Sequence, residues 1–292
     1  MAIADRTTCC CPRRFDEHKR GPMNLKWWKT AAPALGDEYL PVMNVERGIR
    51  KGRNVYEGYQ RGWGIQFGEL RTHVRNDPLY QRGLAACQDR TILMEDSRMN
   101  LYLLLKFFLP RVDPGAIIEF GAFRGGNAIF MAHVLRELGS PARVYALDTF
   151  SGMPLTDKHV DAHSKGDFVG VDFEELVAYA KSLSLNNLMF CRGLFHETID
   201  AVRNEARCFS LAHIDCDTYD SVKFSYDAVR GKMVEGGYVV FDDATVSSCI
   251  GATEAVEEEV ICRDGLLSEQ IFPQFVFRSF RSGASAPLSA AS

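Results

Sequence analysis

Residues 209–243 read FSLAHIDCDTYDSVKFSYDAVRGKMVEGGYVVFDD. Two apolar runs, FSLAHI at 209–214 and YVVF at 238–241, flank a segment that places Val222, Tyr226, Val229 and Met233 along one helical stripe. Short apolar runs without alternation read as parallel strands covered on both faces. Parallel strands need a crossover, so this stretch specifies strand, helix and strand of one sheet. Each strand ends in a pair of acids, Asp215 and Asp217 and then Asp242 and Asp243. In open α/β sheets, ligands bind outside the carboxyl ends of the strands. Carboxylates gathered there repel one another unless a cation sits among them, and hard cations such as Mg²⁺ take oxygen ligands. Helix capping accounts for one acid at each strand end but not for two. A divalent metal site is therefore expected. Asp215 and Asp217, two apart, project to one side if the backbone stays extended. Asp242 and Asp243 are consecutive and can share an ion only if the chain turns there.

Working outward, the same alternation continues. SRMNLYLLLKFFL at 97–109 predicts a largely buried helix stopped by Pro110. AIIEF at 116–120 is the first strand, and a glycine turn, GAFRGGN at 121–127, leads into a helix with Met131, Val134, Leu135 and Leu138 on one face. Gly139 caps that helix and Pro141 bars its continuation. RVYAL is the second strand, ending at Asp148, and a polar loop runs from Ser151 to about Asp172. FEELVAYAKSL at 173–183 is a helix, LMFC at 188–191 a strand, and GATEAVEEEVI at 251–261 a helix. Segments around Gln270 and at 275–280 suggest a final antiparallel strand pair across Pro273. The whole reads as a doubly wound, mostly parallel Rossmann-like α/β sheet. Residues 1–35 are expected to be a disordered tail, 36–95 a cap of short helices and loops on the substrate side, 96–280 the main domain, and 281–292 a second disordered tail. Trp27, Trp28, Tyr56, Tyr59 and Trp63 are expected mainly to pack on the main domain.

Composition narrows the function. The 292 residues carry a net charge of −4, with no basic stretch to follow a nucleic-acid backbone. The most apolar run, Leu101 to Leu109, contains Lys106 and falls far short of the ~20 residues needed to span a membrane. Nine cysteines without a signal core imply reduced thiols in the cytoplasm. Cys9, Cys10 and Cys11 lack the spacing of zinc ligands and read as tail.

Gly121, Gly125 and Gly126 lie between a strand and a helix, where a ligand can approach the backbone. Asp148 stands at the tip of the next strand, where an acid accepts hydrogen bonds from ribose hydroxyls. The string lacks the order GxGxxG of a dinucleotide site. S-adenosylmethionine has a ribose but no phosphate and needs acids for its ribose and amino group; Glu119 suits the latter.

IEFGAFRGGNAIFMA, YALDTFSGMP, CRGLFHETI, HIDCDTYDSV and GGYVVFDDA, in that order, resemble the macrocin O-methyltransferase family. These are class I S-adenosylmethionine-dependent enzymes that methylate sugar hydroxyls of antibiotics. The resemblance covers about Thr91 to Phe280. It implies a divalent cation, usually Mg²⁺, a hydroxylated small-molecule acceptor such as a glycoside, and an often dimeric enzyme. On matched positions it implies that Gly121 and Gly125 cradle the methionine part and that Asp148 holds the ribose. Glu119, Ala122, Arg124, Thr149 and Gly193 complete the expected cofactor set. Asp215, Asp242 and Asp243 would stand at the metal, with Asp217 beside them as a further ligand or the base.

Methyl transfer to an alcohol needs an acceptor deprotonated and held in line, tasks suited to a metal and a carboxylate. His213 is a rival base, though a buried strand histidine with a satisfied hydrogen bond accounts for it. His159 and His163, with Asp157 and Asp161, lie in the loop at 156–167, read chiefly as a solvated lid and secondarily as a metal cluster. Arg124 reaches the cofactor carboxylate or covers the helix start. Two other functions compete. Tyr219 and Lys223 form the YxxxK of a short-chain nicotinamide oxidoreductase. A non-catalytic metal-binding domain would need no methyl donor pocket.

Overall fold

The computed structural model describes residues 69–279, with Ile65 and short backbone segments at 49–50 and 53–54. Expectations for residues 1–35, Tyr56, Tyr59, Trp63 and the 281–292 tail lie outside the described residues.

Seven strands form one sheet: β1 (Ala116–Phe120), β2 (Val144–Asp148), β3 (Leu188–Arg192), β4 (Phe209–Ile214), β5 (Met233–Phe241), β6 (Ser268–Gln270) and β7 (Phe275–Ser279). Their spatial order is β3-β2-β1-β4-β5-β7-β6. The first five run parallel, and β7 pairs antiparallel with both β5 and β6. Strand order reverses between β1 and β4, which makes the carboxyl ends of these two strands the switch point where such sheets bind ligands.

Helices cover both faces. In chain order they are α1 (Glu69–Arg75), α2 (Pro78–Cys87), α3 (Glu95–Leu103), α4 (Gly126–Glu137), α5 (Phe173–Ser182), α6 (Phe195–Glu205), α7 (Tyr219–Arg230) and α8 (Ile250–Ala255). Strand side chains alternate between two apolar layers. Ile117, Ala146, Leu211 and Val240 pack with residues of α2, α3, α4 and α5. Ile118, Leu147, Ala212 and Phe241 pack with residues of α6, α7 and α8. With both faces covered, the strands are mostly apolar on both sides, and among the buried polar exceptions Glu119 and His213 bond one another.

Several details depart from the sequence reading. Wider π-helical turns extend α3 through Leu104–Phe108 and α8 through Val256–Arg263. Pro110 lies within the closing 3₁₀ turn, Leu109–Arg111, rather than just beyond the helix. Met233 does not continue the stripe of α7 but begins β5. That strand starts five residues earlier than YVVF because it bulges: Phe209 and Leu211 of β4 pair with Met233 and Tyr238, and Gly236 in between takes φ +71°. Helix α6 was not anticipated. Its buried stripe is only Ile199 and Val202, and Glu197 accepts the Leu194 N–H at its start. No described helix is long and apolar enough to cross a membrane.

Candidate active site

The carboxyl ends of β1, β2, β4 and β5 open on one cleft of about 300 Å³. Gly121, Asp148, Thr149, Asp215, Asp217, Asp242 and Asp243 line it. Ile92 and Met94 bound it from the segment before α3, and Met153, Pro154 and Phe168 from the loop after β2.

Three of the acids converge. Asp242 turns out of the strand into a helical conformation, φ −75° and ψ −51°, and a 3₁₀ turn follows at Asp243–Thr245. That turn lets consecutive acids face one point. Carboxylate oxygens of Asp215, Asp242 and Asp243 lie within 4.8 Å of one another. Asp242 and Asp243 are buried. Burial, and then repulsion from the neighbouring carboxylates, hold the Asp215 and Asp243 carboxyls well above the ordinary range. An oxygen-only set of mutually repelling acids fits a hard divalent cation.

Asp217 differs. The strand ends at Ile214 and Asp217 takes φ +62°, so the extended alternation expected to align it with Asp215 does not apply. Its N–H donates to Asp243 Oδ2 at 2.8 Å. Its Oδ1 lies 3.5 Å from both Cys249 Sγ and His163 Nε2. Burial raises its carboxyl, while the His163 ring opposes the rise.

Behind the acids runs a buried polar chain. Gln274, fully buried between β6 and β7, donates from Nε2 to Asp242 Oδ1 at 2.8 Å and contacts His213 Nε2 at 3.2 Å. Its Oε1 accepts from Asn100 Nδ2 at 2.9 Å. A Gln amide donating to Nε2 leaves the His213 proton on Nδ1, which lies 3.1 Å from Glu119 Oε1. His213 is therefore a satisfied strand histidine, as its simpler reading had it, and is not among the residues lining the cleft.

Among the expected cofactor residues, Asp148 has its carboxylate fixed by the N–H groups of Phe123 and Phe150, at 2.8 and 2.7 Å. Burial outweighs these bonds and raises its carboxyl. Gly193 and Thr149 line an adjoining depression. Glu119, Ala122, Arg124 and Gly125 do not line the main cleft. Arg124 is exposed, its guanidinium 4.8 Å from the Phe123 ring. The space beside Gly125 is taken by Leu176 and Phe190. Glu119 is buried with Oε1 accepting from Asn127 Nδ2 at 2.6 Å, yet its Oε2 and Asn127 Oδ1 have no partner. Two unsatisfied buried acceptors, one on β1 and one in the first turn of α4, fit a cationic donor such as an amino group.

The 151–172 loop is largely exposed and is tied down at several points. Buried Asp161 accepts the Tyr219 N–H at the start of α7, and Phe168 stacks edge-on to Phe123. His159 is exposed, and Asp157 accepts its N–H in a local turn, so the loop's histidines and acids do not gather into one cluster. Tyr219 and Lys223 are turned toward α8, where they bond Glu258 and Glu259, and the nicotinamide reading loses its catalytic pair. The sequence reading missed Cys249 and Gln274, whose contacts to the site lie 32 or more residues away in the chain.

Comparison with known proteins agrees with this architecture. The family described as Macrocin-O-methyltransferase (TylF) matches residues 100–265. A tetracenomycin-C rhamnosyl 4'-O-methyltransferase of Streptomyces olivaceus is 28% identical over 160 residues, 51% of this chain and 60% of that protein. Demethyldecarbamoylnovobiocin O-methyltransferase of Streptomyces niveus is 27% identical over 155 residues, 50% of this chain and 58% of that protein. The chain thus spans under two thirds of the length of these curated relatives. The O-methyltransferase NovP superposes with a TM-score of 0.54 at 23% identity, over 63% of this chain and 79% of that one. The calicheamicin methyltransferase CalS11 gives 0.54 at 22% identity, over 72% and 90%. At these identities the two structures speak for the fold. With the family match extending over more than half of its length, the chain belongs to the macrocin-O-methyltransferase family.

Proposed function

We propose that the protein is an S-adenosylmethionine-dependent O-methyltransferase, assisted by a divalent cation, acting on a hydroxyl of a sugar or glycosylated natural product. The observation that carries this reading is the convergence of Asp215, Asp242 and Asp243 on the cleft that Asp148 also lines. When bound, S-adenosylmethionine supplies the methyl group, and a cation such as Mg²⁺ supplies charge that favours an ionised acceptor oxygen.

The chain's own residues do the rest. Asp148 receives the ribose hydroxyls, with Gly121 and Thr149 beside it on the cleft wall. The carbonyl and carboxylate acceptors of Asn127 and Glu119 suit the amino group. Asp215, Asp242 and Asp243 hold the cation, and Gln274 orients Asp242. Asp217, on the cleft wall, takes the acceptor proton. Ile92, Met94, Met153 and Phe168 exclude water and orient the acceptor, which supplies much of the rate. The relatives' names support a glycoside as acceptor: one refers to a rhamnosyl group and another to a novobiocin. The same reading places the enzyme in the cytoplasm as a homodimer or larger homo-oligomer, measurable by light scattering.

A screen of glycosides with labelled methyl donor, with and without chelator, tests the proposal. Label transfer that chelation removes and Mg²⁺ restores is expected. Calorimetry showing no heat with S-adenosylhomocysteine, beside tight Mg²⁺ binding, would favour a non-catalytic metal-binding domain instead.

A further inference from the structure

Outside the three-acid group, three unlike donors meet at the edge of the cleft. His163 comes from the loop after β2, Asp217 from the end of β4, and Cys249 from the start of α8. The distances are 3.6 Å from Cys249 Sγ to His163 Nε2, 3.5 Å from Sγ to Asp217 Oδ1, and 3.5 Å from Nε2 to Oδ1. As a hydrogen bond the last is too long. As edges of a tetrahedron around Zn²⁺ they fit. Metal bonds of about 2.3 Å to sulfur, 2.05 Å to nitrogen and 2.1 Å to oxygen give edges of about 3.6, 3.6 and 3.4 Å.

A second observation concerns the far side of the imidazole. His163 Nδ1 lies 3.3 Å from Asp167 Oδ2. A metal-ligating histidine characteristically donates its other ring N–H to a carboxylate, which fixes the tautomer that presents Nε2 to the metal. Asp167 is itself held by the Ser164 N–H at 2.9 Å. The donor set also separates this site from its neighbour. Thiolate and imidazole select Zn²⁺ or a similar transition metal, whereas carboxylates alone select Mg²⁺.

We propose that His163, Asp217 and Cys249 form a second metal site, specific for a thiophilic divalent ion such as Zn²⁺, with Asp167 orienting His163. Binding displaces the Cys249 thiol proton to solvent as the S–Zn bond forms. The fourth tetrahedral position is left for water or an exogenous ligand. The ion fastens the 151–172 loop to the ends of β4 and α8. It also occupies Oδ1 of Asp217, so Zn²⁺ opposes any reaction that uses this carboxylate as a base. The site itself does not depend on methyl transfer.

The test uses full-length protein in which Cys9, Cys10 and Cys11 are changed to Ser, which removes them as rival ligands. One equivalent of Zn²⁺ should survive dialysis in excess Mg²⁺. Co²⁺ in its place should show thiolate charge-transfer absorption. Cys249→Ser should abolish that band, and Asp167→Asn should weaken Zn²⁺ about 10–100-fold. Zn²⁺ should also slow tryptic cleavage at the exposed Lys158 and Lys165. The Asp167 side chain is 44% exposed, so its variant should fold and decides the matter if Cys249→Ser does not. Absence of Zn²⁺ binding, or binding that Cys249→Ser, His163→Gln and Asp167→Asn leave unchanged, overturns the proposal.

Discussion

A methyl group added at residue 121 should do far more harm than one added at residue 139. Gly121 and Gly139 both take positive φ, +90° and +68°. Replacement by Ala puts a side chain in that region at a cost of roughly 1–2 kcal/mol. For Gly139 nothing lies within 4 Å of the added carbon, so the cost should end there. At Gly121 the new Cβ would stand 1.7 Å from the Asp215 carbonyl oxygen, against 3.4 Å for an ordinary contact. The end of β4 must therefore withdraw by about half that ordinary distance. One backbone hydrogen bond spans the gap, Asp215 N to Phe120 O at 3.0 Å. Losing it adds about 1 kcal/mol, for a total of roughly 2–3 kcal/mol. Asp215 moves with its backbone, and displacement by more than 1 Å should cost on the order of 100-fold in turnover. Urea unfolding of both variants measures the first effect, and Mg²⁺ titration the second. Equal destabilisation of the two variants, or unchanged Mg²⁺ affinity in Gly121→Ala, would refute the reasoning.

Three further predictions concern the acids and their supports. Asp242→Ala should abolish turnover while sparing donor binding, and Asp148→Ala should weaken donor binding first; calorimetry that finds the reverse reassigns both residues. Asp215 and Asp243 carry raised pKa values, so the folded chain holds protons that the unfolded chain has released. Without cation, stability should fall as pH climbs above about 3.8 through the raised values, and Mg²⁺ should raise Tm more at pH 8 than at pH 5; an equal rise at both contradicts it. Gln274→Leu strands Asn100 Nδ2, His213 Nε2 and Asp242 Oδ1 in a buried setting, which should cost about 2–4 kcal/mol in chemical denaturation; a loss below about 1 kcal/mol would show that the chain is slack.

The five parallel strands were legible because a sheet covered on both faces leaves mostly apolar runs, as in 116–120 and 209–214. Asp215, Asp242 and Asp243 were legible because strand ends of such a sheet share one edge. Helix α6 was not, since two buried side chains leave little periodicity to read. The start of β5 was hidden by Gly236 and Gly237, which read as a turn but belong to a bulge. The orientation of Asp217 was not legible for a local reason: its left-handed backbone cancels the alternation that an extended chain would impose. The meeting of His163 with Cys249 leaves no local trace, because 86 residues separate them.

The C-terminal hairpin has a consequence for how the protein is made. Strand β7 lies between β5 and β6 and presents Gln274 to Asp242 just ahead of its first residue. On a ribosome that stretch emerges after every other part of the sheet. Until it docks, one flank of β5 offers unpaired N–H and C=O groups from Gly237 to Phe241, an invitation to intermolecular pairing. A nascent chain halted before residue 275 therefore lacks that protection and should be prone to aggregate.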